Sequence, residues 1–195
     1  MIYLILSAII YFIPGLWVNY TLNKHNDVLS NMPFSAKEFG EELLKEKGLE
    51  DVKIETTKDG DHYDLIDKAV RVEPSRIDRK SLTSITVMCH EIGHAIQHKE
   101  KYPPLERRYK IAKITNFLTK LSTGIGYIGI PAIIATGALP LIRVCLIVVF
   151  ASILISMIIH LMTLDVELDA SFKKAMPILE KKIPQEYHSA CKSIL

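Results

Sequence analysis

Residues 81–99 read SLTSITVMCHEIGHAIQHK, and the rest of the chain is interpreted around them. Asp78 or Ser81 can cap a helix, and Pro103-Pro104 forbids its continuation, so the spacing predicts a helix over 82–99. Within it stands His90-Glu91-Ile92-Gly93-His94. The i, i+4 spacing stacks both imidazoles on one helix face, where they can chelate a single ion, with Glu91 beside them. This is the pattern in which two histidines hold Zn²⁺ and the glutamate serves as general base.

A catalytic zinc site takes three protein ligands and leaves a fourth position open. His98 continues the i+4 ladder but lies about 12 Å along the helix from His90, too far for Zn–N bonds of roughly 2.1 Å unless the helix breaks. It is expected beside the site or exposed. The better source of a third ligand is Asp165-Val166-Glu167-Leu168-Asp169-Ala170-Ser171. Ser152, Ser156, His160, Thr163 and Glu167 follow spacings of 4, 4, 3 and 4, a polar stripe on one helix face that Ser171 extends. Glu167 on that face needs a partner, and a metal ion supplies one. Asp165 and Asp169 fall roughly 200° around the helix from Glu167, so they rank below it as ligands and are expected at a solvated helix end. His160 is expected to make one core hydrogen bond, with a role beneath the metal as the alternative.

Working outward, the chain has 195 residues, 24 basic against 22 acidic, 49% hydrophobic and 24% charged. A net charge of +2 gives no global basic field, which argues against nucleic acid as a partner. The charge is segregated. Leu121–Ile142 and Val144–Leu164 contain none, while most of it lies between Thr21 and Lys120. Cys89, Cys145 and Cys191 form no disulfide framework or metal spacing, so a reducing compartment is compatible.

The first apolar run, Ile2 to Val18, would span about 26 Å as a helix, enough for a bilayer core. With no basic leader or cleavage signal, it reads as an uncleaved anchor despite Pro14 and Gly15. Ser35 and Glu38 form a capping box for a short amphipathic helix ending near Gly48. Val52–Thr56 and Ala69–Val72 read as two short strands. Gly137, Pro140 and Arg143 divide the long apolar block into two spans joined by a tight hairpin, and Gly124, Gly126 and Gly129 with Pro131 permit a bend or close packing. The helix after the last span continues to about Ala175, and Pro177 and Pro184 break a basic tail.

Basic residues flank the spans at Lys24, at Arg107, Arg108, Lys110, Lys113 and Lys120, and at Lys173, Lys174, Lys181 and Lys182. The hairpin offers only Arg143. The positive-inside rule then puts the charged domain and the tail in the cytoplasm. Residues 1–20 form the anchor, 21–120 the cytoplasmic domain, 121–164 the transmembrane hairpin and 165–195 a cytoplasmic helix with the third ligand and the tail. The two crossings return Glu167 to the face that holds His90 and His94.

The extended run His90-Glu91-Ile92-Gly93-His94-Ala95-Ile96-Gln97-His98 is preceded by Asp61-His62-Tyr63-Asp64 and Lys68-Ala69-Val70-Arg71-Val72 and followed by Glu167-Leu168-Asp169-Ala170-Ser171. Together these resemble the YugP-like family of proposed membrane zinc metallopeptidases over most of the chain. Leu65 stands where the family pattern often has proline. The resemblance implies a mainly α fold with a small β element: a zincin-like domain, of the gluzincin kind, joined to about three transmembrane helices. It implies His90, His94 and Glu167 as zinc ligands, Glu91 as catalytic acid-base, and a bacterial inner or plasma membrane location with the active site on the cytoplasmic side.

The expected function is a membrane-bound zinc endopeptidase acting on peptide or membrane-protein substrates, in which Glu91 takes a proton from the attacking water and returns it to the leaving amine. His62, Tyr63 or His160 could donate to the oxyanion, and the strand Ala69–Val72 could pair with an extended substrate. Rival readings are a site-2-type intramembrane protease and a catalytically silent zinc-stabilised scaffold or chaperone. A channel or transporter is disfavoured, since one histidine and one arginine interrupt the later spans. Oligomeric state is left open by the sequence.

Overall fold

The computed structural model describes residues 2–138 and 140–195, with side chains of residues 2–12, 112 and 113 outside the description. In order, the chain forms α1 (Ile2–Lys24), α2 (Ala36–Glu46), β1 (Lys53–Thr56), β2 (His62–Asp64), β3 (Ala69–Val72), α3 (Pro74–Ile77) and α4 (Leu82–Lys99). Then follow α5 (Pro103–Gly124), a π-helical turn (Ile125–Gly129), α6 (Ile130–Ala135), α7 (Pro140–Met162) and α8 (Leu164–Leu168). A second π-helical segment (Asp169–Ala175) leads to α9 (Met176–Lys182) and, after a 3-10 turn, α10 (His188–Ile194). Two compact units result: Met1–Lys101 with Leu168–Leu195, and Tyr102–Glu167.

In the first unit, α2 begins with the expected capping box. Ser35 Oγ accepts from the Glu38 N–H while the Glu38 carboxylate accepts from the Ser35 N–H at 2.7 Å. Its buried face, Phe39, Leu43 and Leu44, packs with Ile85, Met88, Cys89 and Ile92 of α4, with Val70 and Val72 of β3, and with Ala175, Leu179 and Cys191 near the C-terminus. Each large side chain so buried stabilises the fold by about 1.5–3 kcal/mol. The metal-helix candidate α4 is thus held on several sides. Ser81, not Asp78, is its N-cap, accepting from the Ser84 N–H.

The sheet has three strands in the order β1-β3-β2, parallel between β1 and β3 and antiparallel between β2 and β3. Two strands were expected, and β2 is the addition. Strand β3 is central and paired on both sides, so its N–H and C=O groups are committed within the sheet. The expectation that Ala69–Val72 receives an extended substrate is therefore corrected. Arg71 ties the sheet together, reaching Glu55 at 3.2 Å, Asp64 at 2.6 Å and Asp67 at 2.5 Å.

In the second unit α5 and α7 pack together, and Gly137 at φ +71° makes the turn between α6 and α7. Among the described residues, two helices are long and apolar enough to cross a membrane, Pro103–Ala135 and Pro140–Lys182. Phe117, Tyr127, Ile147 and Phe150 are exposed along them. About three spans were expected, and two candidates stand among the described residues. The first apolar run does form α1, but the side chains of residues 2–12 that would decide it lie outside the described residues. Pro177 does not break the basic tail as expected: α9 continues the preceding π-helical segment through it, and the break comes at Pro184.

Candidate metal centre

Helix α4 presents His90 and His94 one turn apart, with ring centroids 4.7 Å apart and planes at 82°. Glu167 lies in α8, and the boundary between the two units falls inside that helix, one residue after it. One ligand atom from each of His90, His94 and Glu167 lies within 4.8 Å of the others. A Glu167 oxygen is also 2.5 Å from Arg108 Nη2, an ion pair within the second unit. His94 is buried, while His90 and Glu167 are half-buried.

The segment Asp169–Ala175 packs against α4. Gly93 makes the close approach possible, since a Cβ there would stand 2.9 Å from the Ala170 carbonyl oxygen. Ser171 Oγ is 3.1 Å from His90 Nδ1. His94 Nδ1 is 2.9 Å from Gln97 Oε1, and Gln97 Nε2 donates to Asp169 Oδ2 at 2.9 Å. Both imidazoles therefore engage a partner through Nδ1. Glu91 is only 7% exposed, and its carboxylate has no hydrogen-bond or ion-pair partner among the described residues.

A family model described as "Putative neutral zinc metallopeptidase" matches residues 1–195. The chain belongs to this family. A curated relative from Bacillus subtilis (strain 168), named "Putative membrane protease YugP", is 29% identical over 171 residues, covering 85% of this chain and 72% of the relative. No solved structure matches the chain.

The donors suit the metal that the family description names: two imidazoles and a carboxylate are a set that catalytic zinc takes. Other expected participants stand elsewhere. His98 is not in the group, and its Nδ1 is 2.9 Å from the Tyr63 hydroxyl. Burial pushes the Tyr63 phenol up to about 12, with Asp51 and Asp64 adding to the effect, so it stays a proton donor across the neutral range. His62 bonds the Gly60 carbonyl at 2.8 Å. His160 is exposed among the described residues, contrary to the core hydrogen bond expected of it, while Ser152 of the same stripe is buried and bonded to the Val148 carbonyl.

Asp165 lies at the exposed helix end expected of it, but Asp169 is 7% exposed and bonded to Gln97, which corrects its expected solvation. The cause is packing: the segment from Asp169 lies against α4, which covers this residue. Ser171, expected on the face of Glu167, is buried 3.1 Å from His90. Gln97 and Arg108 had no assigned part in the site. For Gln97 the signal was its i+3 position from His94, a spacing that places neighbours on one face.

Proposed function

We propose that this chain is a membrane-bound zinc endopeptidase with a zincin-like domain, in which His90, His94 and Glu167 hold the metal and Glu91 is the catalytic acid-base. One observation carries the reading: residues separated by more than seventy positions in sequence bring two imidazoles and a carboxylate within 4.8 Å of one another, beside the buried Glu91. Bound zinc would supply Lewis acidity, polarising the scissile carbonyl and acidifying water. Glu91 takes the proton of the attacking water and delivers it to the leaving amine. Its low exposure, with no hydrogen-bond or ion-pair partner among the described residues, leaves the carboxylate available for that transfer.

The printed name of the Bacillus relative and the two apolar helices support attachment to a membrane. The distribution of basic residues supports a cytoplasmic site. Helix α4 belongs to the first unit and to neither candidate span, which disfavours an intramembrane site-2-type protease. A silent scaffold would keep the ligands but gain nothing from a buried Glu91 that has no partner among the described residues.

The test is zinc content and casein cleavage measured together on purified Glu91→Gln and wild-type protein. Retained zinc with cleavage reduced by about 10²–10⁴-fold is expected. Equal cleavage by the two proteins would refute the assignment of Glu91.

A further inference from the structure

The contacts behind His94 determine which of its nitrogens faces the ligand set. Gln97 Nε2 donates to Asp169 Oδ2 at 2.9 Å, so the NH₂ is the end of the amide that faces Asp169. The Gln97 oxygen then faces His94, and an amide oxygen only accepts. His94 must supply the proton from Nδ1. A neutral imidazole protonated at Nδ1 carries its lone pair on Nε2. Lys173 Nζ, 3.4 Å from the other Asp169 oxygen, supplies a counter-charge on the solvent side. Exposures of 4% for His94, 0% for Gln97 and 7% for Asp169 leave little water to compete for these bonds.

Resting on the zinc reading above, we infer that Asp169 and Gln97 are positioning residues that lock His94 as its Nδ1–H tautomer and leave Nε2 as the metal-ligating atom. The sense of the lock is set by Asp169 through Gln97. His90 has a one-residue counterpart in Ser171, whose hydroxyl donates to the Leu195 carbonyl at 3.4 Å and so accepts from His90 Nδ1. The segment that follows Glu167 thus orients both histidines of α4 before any metal arrives. Outer partners of this kind are worth roughly 10–100-fold in metal affinity.

The test uses the full-length protein in detergent with ¹⁵N-labelled histidine, metal-free, the His94 signals being assigned by their loss in His94→Asn. Wild type is expected to show His94 protonated at Nδ1. Gln97→Met keeps the side-chain shape but removes the acceptor, so the two tautomers should mix and zinc affinity, read by chelator competition, should fall about 10–100-fold. Asp169→Ala should act in the same direction without a contact to His94. A wild-type His94 protonated at Nε2 would overturn the inference, as would a Gln97→Met protein with unchanged tautomer and zinc affinity. If the variants do not fold, the wild-type tautomer alone decides. Because that readout needs no metal, an Nδ1–H His94 in a protein that binds no zinc would refute the zinc reading and uphold the lock.

Discussion

Gly93 shows how much one hydrogen atom can matter here. An alanine Cβ at this position would press on a backbone oxygen, at 2.9 Å from Ala170 O, and backbone cannot swing aside. At Gly40 the nearest atoms would be Ile54 Cδ1 and Met88 Sδ at 2.8 Å, both on flexible side chains. Alanine gains up to about 1 kcal/mol over glycine from helix propensity, which offsets part of the crowding at either site. Gly93→Ala is therefore expected to lose about 1–3 kcal/mol by overpacking and to weaken zinc binding as Ala170 and its neighbours are displaced. Gly40→Ala should lose less. Denaturant unfolding of both variants measures the difference, and equal losses would contradict this reading of the crossing.

At the scale of elements, the helix caps govern stability and part of its pH dependence. Ser81 is fully buried, accepts from the Ser84 N–H and donates within a cluster with Ser84 and Asn26, so Ser81→Ala is expected to cost about 1–2 kcal/mol, read from thermal or denaturant unfolding. The Ser35 backbone N–H, then its hydroxyl, hold the Glu38 carboxyl below its ordinary 4.5. A depressed carboxyl contributes stability above its unfolded pKa and loses it as pH falls through the folded value. Wild type should thus exceed Glu38→Gln in Tm at neutral pH. The gap should close in acid, below the ordinary carboxylate range, and a gap that widened there would contradict the capping assignment.

These elements also show what could be read from sequence. Helix 82–99 and the α2 capping box were legible because cap residues and apolar spacing act locally. Strand β2 was not, since its three residues are too short a run for the alternation around buried Tyr63 to register. The π-helical winding at Asp169–Ala175 has no local signature. Asp169 in this segment bonds Gln97 of α4, so it was the partner that counting at 3.6 residues per turn misplaced, while Ser171, on the stripe with Glu167, was placed correctly.

For the molecule as a whole, the proposed metal and the fold should be linked. Zinc that binds only the folded state adds about 2.7 kcal/mol when free zinc is 100 times Kd, so chelation should lower Tm and readdition should restore it. In Glu167→Ala the same treatment should shift Tm by less, as one ligand is already lost. Differential scanning fluorimetry in detergent reads both, and an identical chelator shift in the two proteins would remove Glu167 from the ligand set. In the sequence, Glu167 was grouped with His90 and His94 by the parity of two apolar runs, and these three residues form the possible metal group. The total number of spans was not legible, because the described residues leave the composition test of α1 incomplete.

The bonds that orient the histidines have a temporal side as well. Gln97 and Asp169 are 72 residues apart, and His90 and Ser171 are 81 apart. During synthesis, at about 5–20 residues per second, α4 leaves the ribosome several seconds before the segment that locks it. Closing so long a loop must precede any reward from the contact, which delays it further. A nascent chain therefore carries the His-Glu-x-x-His helix in an unassembled state, with neither Glu167 nor Asp169 yet made. If the proposed function holds, the centre would mature only after the apolar stretch between α4 and Glu167 is complete, and the unfinished chain, the nearest peptide to it, would meet no working site.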